Sequence, residues 1–182
     1  MINEILTANL GLYKNHDIPL YHGSTTKIDM GDTINPHVET WHTGVKGVFA
    51  TSDFDYALHY ALRNFIDDLM SFTVDDGIVM FGSEMPEEMD FMGYVYTLDK
   101  QSLFSRWDEI YNQLKPGKKI SWPEYVSLNP VKISAIDVIT PEYCRENNIR
   151  IYVTNNDEHF IHSAHHKNPT EDLIASDSKR II

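Results

Sequence analysis

Leu20-Tyr21-His22-Gly23-Ser24 runs an apolar pair into a His-Gly-Ser turn, the pattern of a buried strand ending on an imidazole and a glycine. Taken alone it fits a packed core histidine as well as a binding one. Two later stretches give it weight. Gly47-Val48-Phe49-Ala50-Thr51 reads as a short apolar strand that leads into a helix from Ser52, with Ser52 and Asp55 at capping-box spacing. Phe54, Ala57, Leu58, Ala61, Phe65 and Leu69 then recur every three or four residues, the buried stripe of that helix, and Tyr60 lies near its edge. Glu124-Tyr125-Val126-Ser127-Leu128 is a further strand, and it opens on a carboxylate. In this order the three stretches make one candidate site.

Composition limits what that site can serve. The 182 residues, 42% of them hydrophobic, suffice for one sizeable core, so a single main domain is expected. Lys and Arg number 15 against 27 Asp and Glu, and the net charge of −12 repels phosphate backbones, so nonspecific nucleic-acid binding is not expected. Cys144 is the single cysteine and cannot form an internal disulfide, which points to a reducing, cytoplasmic setting. No basic cluster precedes the apolar residues of the N-terminus and no run is long enough to span a bilayer, so no membrane partner is expected.

The remaining stretches organise around the site. Ile2, Ile5, Leu6 and Leu10 have helical spacing, and 33–43 reads as a loop because Pro36 and scattered polar residues break any period. Asp76-Gly77 between Ser71-Phe72-Thr73-Val74 and Ile78-Val79-Met80-Phe81 signals a hairpin. The acidic run holding Glu84, Glu87, Glu88 and Asp90 reads as solvated loop. Met92 to Leu98 is a strand, Ser105 to Leu114 a short helix, Val131 to Ile139 a strand set off by Asn129-Pro130, Pro141 to Asn147 one or two helical turns, and Ile149 to Val153 a last strand. Past Asn155 the chain is polar. His162 and His166 there stand four apart, but no cysteine is near and Lys167-Asn168-Pro169 stops a helix at once, so a polar extension over 155–182 and no metal site is expected.

Breaking a nicotinamide–ribose bond requires that the leaving group be held flat and that the positive charge growing on the ribose meet a fixed negative group. A strand-end histidine can bond a ribose hydroxyl, and the glycine after it lets an amide approach the backbone closely. Phe49 and Tyr60 can bring two rings around one flat ligand, and Glu124 supplies a carboxylate.

On these residues the chain resembles the catalytic core of the ADP-ribosyltransferases of the diphtheria-toxin and poly(ADP-ribose) polymerase type. That family carries His-Gly-Ser/Thr on its first core strand, a Gly-Ile-Tyr-Phe-like strand leading to a Ser-Ala-x-Tyr helix, and a late Glu-Tyr-Ile/Val strand. The resemblance implies an α+β fold with a mixed, split β-sheet and flanking helices over residues 1–154. It implies an NAD-consuming mono-ADP-ribosyltransferase, a glycosyltransferase that releases nicotinamide to an unknown acceptor, protein or small molecule. By the same similarity His22 binds the adenosine-side ribose, Gly23 bonds the carboxamide through its backbone, and Tyr60 stacks on nicotinamide. Glu124 bonds the nicotinamide ribose and stabilises the cationic transition state, while Ser24, Phe49 and Tyr56 complete the NAD contacts. Two positions depart from the pattern: the strand tyrosine is Phe49, and the serine before the helix alanine is Tyr56. Those departures leave an alternative of a different class, a pseudoenzyme or inhibitory protein that binds NAD or ADP-ribose without turnover.

Overall fold

The computed structural model describes residues 18–38, 45–62, 70–74, 77–81, 90–114, 124–154 and 178–180. In chain order its elements are β1 (Tyr21–Ser24), β2 (Thr33–Ile34), β3 (His37–Val38), β4 (Lys46–Thr51), α1 (Phe54–Leu62), β5 (Met70–Val74), β6 (Gly77–Phe81) and β7 (Gly93–Leu98). There follow β8 (Ser105–Arg106), α2 (Trp107–Leu114), β9 (Glu124–Ser127), β10 (Val131–Ile139), α3 (Pro141–Glu146), β11 (Arg150–Thr154) and β12 (Ser178–Arg180). The class is mixed α+β. The chain divides into two compact units, one of Met1–His22, Ile28–Phe54 and Tyr96–Ile136, the other of Gly23–Lys27, Asp55–Val95 and Asp137–Ile182.

A sheet in the order β2-β10-β7-β1-β4-β9-β8, with β3 also paired to β4, organises the first unit. The apolar β4 runs antiparallel to β9 with Val48 opposite Ser127, Phe49 opposite Val126, Ala50 opposite Tyr125 and Thr51 opposite Glu124. Val48 and Ala50 are buried, as residues alternating down a central strand should be. α2 lays Trp107, Ile110 and Tyr111 on Val45 and Val126, with Phe49 and Leu128 packed at the margin of that core. The helix begins where Arg106 at the end of β8 forks onto the buried Asp108, whose Oδ1 also accepts from the Glu109 amide at 2.9 Å. Asp108 and Glu109 in the first turn suit the positive end of the helix dipole.

In the second unit the Val74 and Gly77 ends of β5 and β6 close the antiparallel hairpin, and β11 adds parallel to β6 and antiparallel to β12. The sheet order is β12-β11-β6-β5. Ala57, Leu58, Ala61 and Leu62 are the buried side of α1. Two glycines set how closely that helix lies: a Cβ at Gly23 would overlap the Ala57 carbonyl, and one at Gly93 would overlap the Ala61 carbonyl. α3 is opened by Thr140, whose side chain accepts from the Tyr143 amide, has Pro141 in its first turn, and closes at Asn147 with Asn148 at φ 56°.

Several sequence expectations are refined. The stretch read as a loop from Thr33 holds two short strands, because Ile34 buries its side chain and pairs with Val131 while His37 pairs with Gly47. The first helix begins at Phe54 rather than Ser52, with Thr51 Oγ1 accepting from the Asp53 amide in the turn before it. Ser105 and Arg106 belong to a strand because they complete the ladder of β9 before the helical period starts. The polar C-terminal segment contributes β12. The N-terminal helix, the acidic stretch at 82–89 and the histidines at 159–166 lie outside the described residues. Among the described residues no helix is long and apolar enough to cross a membrane.

Candidate functional site

β1, β4 and β9 are neighbours in the sheet of the first unit, so the His-Gly-Ser, Gly-Val-Phe and Glu-Tyr-Val stretches lie on three adjacent strands. Tyr21 is opposite Thr51, and Thr51 is opposite Glu124. Directly opposed residues of antiparallel strands stand on one face, and alternate residues share it. Tyr21, Thr51 and Glu124 therefore form one row, and Gly47, Phe49 and Val126 fall on the same face. His37, opposite Gly47, joins them. Glu124 is half-buried at the head of its strand.

His22 starts one residue off that row and is turned toward β4. Between the β4 residues that pair with β3 and the one that pairs with β1, the carbonyl of Phe49 accepts a hydrogen bond from Nδ1 of His22 at 2.7 Å. A carbonyl offers no proton, so Nδ1 carries it, and the neutral ring keeps Nε2 as an acceptor. Its surroundings favour the neutral ring. Burial pushes its pKa below the ordinary imidazole value, the bond to Phe49 pulls the other way with less force, and the nearby His37 adds a further push down. A neutral imidazole whose second nitrogen is an acceptor suits a hydroxyl, whereas an anion would need donors there.

Four rings surround this imidazole or continue from it. Tyr96 stacks at 6.4 Å, and His37 stands edge-on at 6.2 Å. His37 in turn lies 6.3 Å from the ring of Phe49, which meets Trp107 edge-on at 5.1 Å. Tyr96 is fully buried, and its hydroxyl accepts from the amide of Ile28 at 2.7 Å. That bond ties the segment after the His-Gly-Ser motif to β7, the strand beside β1.

The second unit holds the other candidates. On α1, Tyr56 and Tyr60 stand one turn apart with ring centroids 5.5 Å apart and hydroxyls 3.5 Å apart, and His59 stacks on Tyr56 at 5.9 Å. All three are half-buried and lie beside the buried alanine stripe. Ser24 Oγ accepts from the Thr26 amide at 3.0 Å, which closes the turn after β1. Gly23 has the packing role described above, so its lack of a side chain is demanded by α1 whatever else its backbone does.

His37 and Tyr96 were missed from sequence. His37 directly follows Pro36 inside the 33–43 stretch, which shows no period, and Tyr96 carries the same signal as any strand aromatic; only strand pairing brings either to His22. Among the described residues no group of three or more His, Cys, Asp or Glu side chains is gathered to hold a metal ion. Comparison with family profiles, with curated proteins and with solved structures found no match to this chain.

Proposed function

We propose that this protein is an NAD-dependent mono-ADP-ribosyltransferase with a split-sheet ADP-ribosyltransferase fold. The observation that supports the reading is the β1-β4-β9 adjacency, which sets the strands holding His22 and Glu124 on either side of one intervening strand, with Tyr21 rather than His22 in register with Glu124. The tautomer of His22 adds to it: Nε2 is the acceptor that a ribose hydroxyl of the adenosine half requires. The bond that breaks joins the nicotinamide nitrogen to the ribose carbon. Its electron pair leaves with nicotinamide, which departs neutral, and the ribose is left with oxocarbenium character. The Glu124 carboxylate would stabilise that charge and orient the adjacent hydroxyl, and the acceptor nucleophile then closes on the same carbon as its proton passes to solvent.

The test is nicotinamide release from NAD by wild type and by Glu124→Gln. Removing a charge-stabilising group of this kind lowers turnover on the order of 10²–10³-fold. Equal rates would take Glu124 out of the mechanism. One observation favours the second reading, a binding protein without turnover: Phe49 is committed to the Trp107 core and carries no hydroxyl where the resembling family has tyrosine. NAD or ADP-ribose binding by calorimetry with no nicotinamide release would establish that reading instead.

A further inference from the structure

Thr51 carries a hydroxyl that the proposed function leaves unused. It ends β4 on the face that holds Glu124, and the antiparallel ladder sets it directly opposite Glu124. β8, on the other side of β9, reaches only as far as Tyr125, which is opposite Arg106, before the chain turns into α2. Among the described residues Thr51 is therefore the one residue paired with Glu124 across a ladder. It is 3% exposed, so solvent does not reach its hydroxyl. Oγ1 accepts from the Asp53 amide at 3.1 Å, and among the described residues the side chain makes no other hydrogen bond, which leaves its proton without an acceptor. Buried hydroxyls seldom stay that way. Cβ atoms of directly opposed residues lie about 4.5–5.5 Å apart. A threonine oxygen stands one bond beyond Cβ and a glutamate oxygen three, so an O–H to carboxylate bond of about 2.5–2.7 Å fits across this pair.

We propose that Thr51 is a positioning residue: in the loaded site its hydroxyl donates to the Glu124 carboxylate and fixes which way that carboxylate faces. The inference rests on the proposed function for the role of Glu124 and deepens it by naming the group that orients the charge. Thr51 itself touches neither substrate nor acceptor. Tyr21, the next residue of the same row, sets its ring edge-on to Phe54 at 5.3 Å instead. A carboxylate held by a donor meets the growing positive charge in one geometry, which is an interaction made in the transition state. Its loss therefore lowers kcat and leaves KM nearly unchanged.

The experiment is nicotinamide release from NAD by the full chain, for wild type, Thr51→Val and Thr51→Ser, each alone and combined with Glu124→Gln. Thr51→Val keeps the shape and drops the hydroxyl. It should lower kcat about ten- to a hundredfold, the range of a hydrogen bond to a charged group, with KM within about twofold of wild type. Thr51→Ser keeps the donor and should hold kcat within about threefold of wild type. In the Glu124→Gln background Thr51→Val should cost less than about twofold, because the charge it orients is gone. Unchanged kcat in Thr51→Val overturns the proposal. An equal loss in both backgrounds, or in Thr51→Ser and Thr51→Val alike, also overturns it, since the turn bond to Asp53 would then be the cause. Each of these results leaves the transferase reading intact, whereas a wild type that releases no nicotinamide overturns that reading and the proposal with it.

Discussion

Gly93→Ala and Gly23→Ala probe how closely α1 lies against Gly93 and Gly23, which belong with it to the second unit. At Gly93 the added methyl would overlap the carbonyl oxygen of Ala61, and at Gly23 that of Ala57, one turn earlier on α1. Both obstacles are backbone atoms, so no rotamer change relieves them and the helix itself must move away from Ala57 and Ala61, which are wholly buried. Overpacking a close-packed core costs typically about 1–3 kcal/mol, and rigid obstacles put both variants near the top, about 3 kcal/mol. For a chain of this size that corresponds to a fall in Tm of about 6–12 °C. Gly31→Ala is the contrast: nothing stands within 4 Å of its Cβ position, but φ is +95°, so only backbone strain of about 1–2 kcal/mol applies. Urea unfolding at equilibrium gives all three values. Adding Ala61→Gly to Gly93→Ala should restore nothing, since the obstructing carbonyl remains. A loss within about 0.5 kcal/mol for Gly93→Ala, the range of ordinary surface substitutions, would refute the close approach. Gly93 has no ligand role in the proposed function, so a deficit in NAD binding confined to Gly23→Ala would separate its backbone contact from its packing.

Two further outcomes follow from single groups. Because the pKa of His22 is lowered on folding, the unfolded chain takes up that proton first, and the stability due to the neutral ring is complete above about pH 6.5 and declines as pH falls below it. Urea midpoints measured between about pH 7.5 and pH 5 should therefore fall more steeply for wild type than for His22→Gln, and parallel curves would count against a buried neutral imidazole. Thr140→Ala removes the acceptor for the Tyr143 amide at 3.2 Å and should cost about 1 kcal/mol, with Thr140→Ser close to wild type; equal stability of all three would mean that the cap contributes nothing.

Much of the secondary structure was legible because it depends on neighbours in sequence. The period of the helix at Ala57, Leu58 and Ala61, the Asn129-Pro130 break before β10, and the helix start at Pro141 are local signals, and each is found where it was read. The errors came where long-range pairing outweighed local pattern. Ile34 and His37 lie in a stretch with turn chemistry and are strand residues only because Val131 and Gly47 are opposite them. Ser105 and Arg106 were assigned to the helix that follows, but β9 recruits them to its ladder.

The candidate site divides in the same way. From the order of residues came the candidates His22, Phe49, Tyr60 and Glu124 and the acidic balance of the chain, which are matters of side-chain chemistry, and the α+β class came with the resemblance that those residues carry. Only tertiary structure could decide that three strands distant in sequence are adjacent, that the Phe49 carbonyl sets the tautomer of His22, and that His37 and Tyr96 flank that ring. The physical reason is that a hydrogen bond between residues 27 positions apart is fixed by strand register and packing, and neither leaves a local mark on the residues it joins.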